Sequence, residues 1–232
     1  MPPAWSFAVM AYNEAATIDR VLDLLLETLP ALKGSFEILV IDDGSTDSTA
    51  QQVARRAASE PRIRLLQHPR NLGIGRTLKD AYRQTEGQWT AVLPADLQFD
   101  PRDLVHLVPY LDDADVINIF RATRHDPASR RLLSAAERLV TRALFGLRVR
   151  DLHWVKLYRR WVLDKIELET DSPLVDTELL VKAARLGARI REVALPHYPR
   201  TAGVSHGASL SHLAASARDL ARLKRTLGST RP

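Results

Sequence analysis

Pro94-Ala95-Asp96-Leu97-Gln98-Phe99-Asp100-Pro101 sets two carboxylates and an amide just after a short apolar run, Trp89 to Leu93. The run reads as a buried strand that ends at Pro94, a residue unable to donate a ladder hydrogen bond. Oxygen donors past the carboxyl end of a parallel strand sit where open α/β sheets bind ligands. Hard donors at that place suit Mg²⁺ or Mn²⁺ held together with a phosphate. Asp96 and Gln98 are therefore candidate metal ligands. Asp100 reads instead as a helix N-cap, with Pro101 in the first helical position.

A second pair of carboxylates, Asp42 and Asp43, follows the apolar run Phe36 to Ile41. A carboxylate there can accept from a base N–H or a ribose hydroxyl. Gly44 lets the backbone turn, and Ser45 to Asp47 can cap the next helix, whose N-terminus favours phosphate. The plainer reading of the same residues is an Asx turn before a capped helix. A nicotinamide-type dinucleotide fingerprint is excluded. That motif puts glycines directly after the first strand, where Ala11-Tyr12-Asn13-Glu14 has none. Gly73 and Gly75 come after the third strand, and the third glycine is missing.

These loops need a sheet to bring them together. Trp5 to Met10, Phe36 to Ile41, Arg62 to Gln67, Gln88 to Leu93 and Asp115 to Phe120 read as strands. Helical patterns over Glu14 to Leu29, up to about Ala58, within Asn71 to Thr85 and over Pro101 to Leu111 alternate with them. This β-α order predicts an α/β fold with a mostly parallel, doubly wound sheet and helices on both faces. Beyond Arg121 the chain becomes basic. Residues 128–147 form an amphipathic helix, with Leu132, Leu133, Ala136, Leu139, Val140, Ala143, Leu144 and Leu147 on one face. Lys156 to Arg160 leads into a short helix. Pro173 to Leu186 reads as helix stopped by Gly187, Arg189 to Leu195 as a strand, and residues 209–227 as a second basic amphipathic helix. The expectation is one domain over 1–232, with a ligand-binding half, 1–121, and a basic half, 122–232.

The chain has 232 residues, 45% hydrophobic and 26% charged, as in an ordinary soluble domain. Without cysteine, disulfide and thiolate chemistry are excluded. Met1 to Trp5 has no signal-peptide pattern, and no apolar run is long enough to span a bilayer. The reading is a cytoplasmic protein that can sit at a membrane surface. A net charge of +5 suits an anionic partner. No base-reading motif accompanies the basic residues, so nucleic acid is not expected.

Tyr12-Asn13-Glu14, Ile41-Asp42-Asp43-Gly44-Ser45-Thr46-Asp47, Asn71-Leu72-Gly73 and Ala95-Asp96-Leu97-Gln98 together resemble, in order and spacing, the family 2 glycosyltransferases with the GT-A fold. Asp96-Leu97-Gln98 and later segments resemble dolichol-phosphate mannose synthase and its bacterial polyprenyl-phosphate relatives. The later segments are Arg121, Arg130 with Arg131 and the amphipathic helix, Asp151 to Arg160, and Pro199 to Ser205. The resemblance implies that Tyr12, Asn13, Glu14, Asp42, Asp43, Gly44, Asn71, Gly73 and Asp96 hold a nucleotide-diphosphate sugar. It implies Asp96 and Gln98 as ligands of Mg²⁺ or Mn²⁺. Arg121, Arg130, Arg131, Ser134, Arg200 and Ser205 would surround the phosphates of donor and of a polyprenyl phosphate acceptor. Arginine suits that task because it stays charged and can grip two oxygens at once.

Three positions depart from the family pattern. Pro94 stands where an acidic residue completes Asp-x-Asp, so one metal ligand is absent. His206 replaces a lysine, and His153-Trp154-Val155 occupies the place of a glycine. Trp154 falls beside the implied acceptor site.

The acceptor decides how much catalysis is required. A phosphate monoester, with a second pKa near ~6, is already a nucleophile and needs surrounding positive charge, not a base. A sugar hydroxyl needs a base, for which Asp176 or Glu178 is available. The catalytic candidates are thus Asp96, Arg121, Arg131 and, for a hydroxyl acceptor, Glu178. The expected activity is inverting sugar transfer by one direct displacement. The alternatives are transfer to a hydroxyl, or a nucleotide-sugar or lipid-binding protein that has lost catalysis. The helix at 128–147 has two readings: in a membrane interface, or packed on the sheet through its apolar face.

Overall fold

The computed structural model describes residues 1–123, 128–200, 219–220 and 222–228, with only the backbone for 128–130. Seven strands form one sheet in the order β3-β2-β1-β4-β6-β5-β7. They are β1 (Trp5–Ala11), β2 (Phe36–Asp42), β3 (Ile63–Gln67), β4 (Trp89–Pro94), β5 (Val116–Arg121), β6 (Lys156–Arg159) and β7 (Ile190–Leu195). β1 pairs in parallel with β2 and β4, β2 with β3, and β5 with β7. β6 is antiparallel to both β4 and β5.

That strand corrects the sequence reading, which left Lys156 to Arg160 as the approach to a helix. Four residues are too few to reveal a period, and Lys156, Leu157 and Tyr158 are all buried. β6 joins the two halves of the chain in one sheet.

The central strands are apolar along their whole length because both faces are covered. Phe7, Val9, Ile38 and Val40 enter one core cluster, while Ala8, Leu39 and Ile41 enter the other. This is the two-residue alternation of a pleated strand. α1 (Ile18–Thr28) lays Ile18, Val21, Leu22 and Leu25 on the first cluster. α2 (Thr49–Ser59) flanks the same side, with Val53 in that cluster. On the opposite side are α3 (Ile74–Gln84), α5 (Arg160–Asp164) and α6 (Val175–Arg185). Each fully buried leucine contributes about 2 kcal/mol by apolar transfer.

Two expected boundaries move. α1 starts at Ile18, not Glu14, because Asn13 has φ 55 and the Glu14 N–H donates to Thr49 Oγ1 at 2.9 Å. The segment Pro101–Tyr110 is a 3-10 helix with Pro109 inside it. Proline lacks the N–H that an α-helical ladder needs. Asp100 caps this segment, accepting from the Arg102 N–H. α4 (Ala128–Phe145) is the amphipathic helix. Of the basic tail, residues 219–220 and 222–227 are helical; the rest of that prediction lies outside the described residues. Among the described residues, no helix is long and apolar enough to cross a membrane.

Candidate active site

The carboxyl ends of β1, β2 and β4 open into a cavity of about 670 Å³. Tyr12, Glu14, Asp43, Asn71, Gly73, Asp96 and Gln98 line one wall. Arg121, Ser134, Glu137, His153, Trp154, Lys156, Asp176, His197 and Arg200 line the rest. The parallel pairing of β1 with β2 and β4 is what gathers three loops distant in sequence.

Backbone amides hold the first wall. Asp43 Oδ1 accepts from the Leu72 N–H at 2.8 Å, and Oδ2 from the Gly73 N–H at 3.0 Å. His68 Nδ1 lies 2.7 Å from Asp43 Oδ1, and its Nε2 lies 3.1 Å from Asp80 Oδ2. Asp43 thus pins the Asn71-Leu72-Gly73 loop against the end of β2. Gly44 has φ +71, and a Cβ there would fall 2.2 Å from the Arg70 carbonyl carbon. Only glycine tolerates both constraints. Asn13 ties the first loop to the second: its N–H donates to Ser45 Oγ at 2.9 Å, and its Oδ1 accepts from the Thr46 N–H at 2.8 Å.

In the loop after β4, Asp96 Oδ1 accepts from the Gln98 N–H at 3.0 Å. Its Oδ2 accepts from Arg200 at 2.7 Å, and Arg200 also donates to Glu14 Oε1 at 3.2 Å. Burial pushes the Glu14 carboxyl above the usual range, against the opposing pull of Thr17 and Arg200. The Gln98 amide meets His197 Nε2 at 3.2 Å, and the Tyr198 N–H donates to the Gln98 carbonyl.

Side chains hold the facing wall. Arg121 donates to both oxygens of Asp151, at 2.8 and 3.2 Å. Its guanidinium also lies over the Trp154 ring, 5.1 Å from the centroid. Trp154 meets Phe99 and His197 edge-on. His153 Nε2 lies 2.7 Å from Glu137 Oε1, tying α4 to this wall. Lys156, fully buried, donates to the Leu152 and Trp154 carbonyls and lies 3.4 Å from Asp176 Oδ2.

Residues 6–165 match glycosyl transferase family 2. The chain belongs to this family. It is 30% identical over 206 residues to the glycosyltransferase AglD of Haloferax volcanii, covering 84% of this chain and 33% of that protein. It is 30% identical over 164 residues to the undecaprenyl-phosphate 4-deoxy-4-formamido-L-arabinose transferase of Pseudomonas savastanoi, covering 68% of this chain and 48% of that one. The chain therefore spans a third to a half of these curated relatives. Among solved structures, it superposes on a Pyrobaculum calidifontis mannosyltransferase in complex with GDP-Man and Mn²⁺. There the TM-score is 0.65 and the identity 22%, over 100% of this chain and 66% of that one. It also superposes on glucosyl-3-phosphoglycerate synthase from Mycobacterium tuberculosis with Mn²⁺, UDP-glucose and phosphoglyceric acid. That match has a TM-score of 0.70 and 23% identity, over 97% and 79% of the two chains. At these identities the superpositions establish the GT-A fold.

Within this family 2 member, the expected site residues divide. Tyr12, Glu14, Asp43, Asn71, Gly73, Asp96, Gln98, Arg121, Ser134 and Arg200 all line the one cavity. Asp42 does not. It is fully buried, and its Oδ2 accepts from the Ser45 N–H at 3.2 Å, the Asx turn of the plainer reading. Asn13 and Gly44 shape the loops without lining the cavity. Arg131 is exposed and outside the lining. The Arg130 side chain, Ser205 and His206 lie outside the described residues.

Glu178 is a correction. It has no exposed surface and accepts from the Glu169 N–H, from the Thr170 N–H and hydroxyl, and from Lys182 at 2.7 Å. Burial alone would raise its pKa, but these bonds outweigh burial and hold it below the usual glutamate range. It anchors the 169–170 loop to α6 and does not reach the cavity. Its neighbour Asp176 does, accepting from the Tyr82 hydroxyl at 3.2 Å.

The side chains that could donate to a divalent ion are Asp96 and Gln98, with the His197 ring beside them. Pro94 supplies no side-chain oxygen. Among the described residues, no three histidine or carboxylate groups converge on one point. This set fits an ion that takes its remaining ligands from a diphosphate, the habit of Mg²⁺ and Mn²⁺. His68, Glu137, Lys156 and His197 were not singled out from the sequence. Scattered histidines and a lysine inside an apolar strand carry no local pattern that marks them.

Proposed function

We propose that this glycosyltransferase moves a sugar from a nucleotide-diphosphate sugar to a polyprenyl phosphate, with inversion at the sugar carbon. The observation that carries the reading is the continuity of one cavity. It runs from the Asp43 and Asp96 loops to a wall where apolar Leu133, Val140, Leu174 and Leu220 stand beside Arg121 and Arg200. Nucleotide and diphosphate match the first wall; a phosphate on a prenyl chain matches the second. The names of the undecaprenyl-phosphate relatives support the same acceptor.

In the reaction, a phosphate oxygen of the acceptor attacks the anomeric carbon. The bond from that carbon to the donor diphosphate breaks, and its electron pair leaves on the diphosphate oxygen. A phosphate with a second pKa near ~6 brings no proton that must be removed at neutral pH. Tyr12, Glu14, Asp43 and Asn71 would bind the nucleoside portion. Arg121 and Arg200 would orient acceptor and donor phosphates, and Trp154 would exclude water. Asp96 and Gln98, with His197, would hold Mg²⁺ or Mn²⁺, which supplies charge stabilisation of the departing diphosphate. A lipid acceptor sets the protein at a membrane surface, at its cytoplasmic face.

The test is transfer by purified protein from a panel of UDP- and GDP-sugars to short-chain polyprenyl phosphate, with and without Mn²⁺. Metal-stimulated glycolipid is the expected product. Nucleotide-diphosphate binding without any product would overturn the transferase reading for that acceptor.

A second reading, transfer to a sugar hydroxyl, is favoured by Asp176, which faces the same cavity and can serve as base. Asp176→Asn separates the two. It removes most turnover with a hydroxyl acceptor and little with a phosphate.

A further inference from the structure

The outward side of α4 carries features that the cleft does not use. Leu132 is 74% exposed and Leu139 67%. They stand seven residues apart, so they share one face of the helix, and Ala135 and Ala143 on that face are exposed as well. The other side of α4, through Ser134, Glu137 and Val140, lines the reaction cavity. Leu132 and Leu139 are thus not the seam that holds α4 to the protein.

Beside them is a second hollow of about 430 Å³, separate from the reaction cavity. Arg138, Arg142, Arg148 and Arg150 border it, together with Leu139 and Glu192. Arg150 lies over the Phe120 ring, 4.6 Å from its centroid. The Glu192 carboxylate accepts from the Arg150 N–H at 2.7 Å and from the Asn118 amide at 3.2 Å. Among the described residues, none of the four guanidinium groups is ion-paired with a carboxylate. Four cations gathered around the single Glu192 carboxylate leave an excess of positive charge whose mutual repulsion an anionic partner removes.

We propose that this face docks on an anionic phospholipid bilayer, with lipid phosphates in the arginine hollow and Leu132 and Leu139 in the acyl boundary. Leucines flanked by arginines on an outward helix face are the pattern of an interfacial helix. An acidic protein partner would match the arginines but not the leucines between them, and a soluble phosphate would match the hollow alone. The proposal deepens the lipid-acceptor reading, on which it rests for the choice of a membrane as partner. It leaves α4 between bilayer and cleft.

Flotation with phosphatidylcholine vesicles, with and without phosphatidylglycerol, tests it. Purified full-length protein should float with the anionic vesicles and only weakly with the neutral ones. Arg138→Glu with Arg142→Glu should weaken that partition by at least about tenfold, given roughly fivefold in binding per basic residue at a charged surface. Leu132→Ser with Leu139→Ser should weaken it severalfold. Millimolar glycerol phosphate should not displace the protein. Unaltered melting temperature and nucleotide-diphosphate binding confirm that each variant is folded. The proposal falls if wild-type protein stays unbound, if the arginine variant floats like wild type, or if glycerol phosphate competes fully. Transfer to short-chain polyprenyl phosphate in detergent is scored separately. Its failure with flotation intact sinks the acceptor reading and leaves the docking face standing.

Discussion

The wall formed by the loops after β1, β2 and β4 is fixed largely through backbone amides. Asp43 and Asn13 each bind an N–H of a neighbouring loop, and Asp96 binds the Gln98 N–H of its own. The facing wall is fixed through side-chain pairs: Arg121 with Asp151, His153 with Glu137, Lys156 with Asp176. The difference has a physical consequence. A backbone donor is present whatever the residue, so the first wall depends on a few short polar side chains in set positions. A side-chain pair needs both partners, usually far apart in sequence, so the second wall can change what it binds by exchanging pairs while the loops of the first wall stay as they are.

The sharpest way to break this comparison is Asp96→Ala. Asp96 touches Gln98 and Arg200 and faces the cavity, so its loss should lower turnover by roughly 10²–10³-fold, the scale of a removed electrostatic contact. Steady-state kinetics with the best donor measures it. A loss below tenfold would mean that Arg200, not Asp96, carries the site.

Glu178→Gln tests the opposite claim, that a buried carboxylate close to the cleft is structural. It should cost about 2 kcal/mol of stability at neutral pH, since Lys182 loses one of its two carboxylate partners and keeps only Glu169 and the Glu167 carbonyl. Turnover per folded molecule should hardly change. The folded pKa lies below the ordinary value of 4.5. The stabilisation is therefore complete above that value and is lost as pH falls through the depressed folded one. The melting difference between variant and wild type should accordingly be full at pH 7 and narrow only in acid below the ordinary value. A gap that widens in acid would contradict the assignment.

Gly44→Ala sharpens the reading of the donor wall. Positive φ and a Cβ pressed on the Arg70 backbone should cost about 2 kcal/mol. The strain sits beside Asp43, so nucleotide-diphosphate affinity should fall along with the melting temperature. Calorimetric titration reads the first and thermal unfolding the second. The smallest effect belongs to His153→Gln. Both members of that pair are partly exposed, so the change should cost under about 1 kcal/mol. It should raise the acceptor KM severalfold and leave donor binding unchanged. A shift in donor affinity of the same size would show that the two walls are not separable.

The strands β1 to β5 and the loops that follow β1, β2 and β4 were legible in the chain because each is a local matter. Apolar runs declare strands, and polar residues at their ends declare a ligand edge. Gly44 was legible for the same reason, since a turn requires it. Asp42 and Asp43 are adjacent and chemically alike, yet one is buried in a turn and the other lines the cavity. Successive residues at a strand end point to opposite sides, and only the sheet decides which side is open. Asp176 and Glu178 separate likewise, through the direction in which α6 meets the 169–170 loop. β6 was hidden by its shortness and by a lysine whose charge is met by two carbonyls and Asp176. The outward position of Leu132 and Leu139 was undecided too, because an apolar stripe has the same period whether it meets a sheet or a membrane. Composition and spacing thus determined the fold class and the loops after β1, β2 and β4, where the causes are local. Side-chain partners distant in the chain decided the facing wall, and those exist only once the sheet has brought them together.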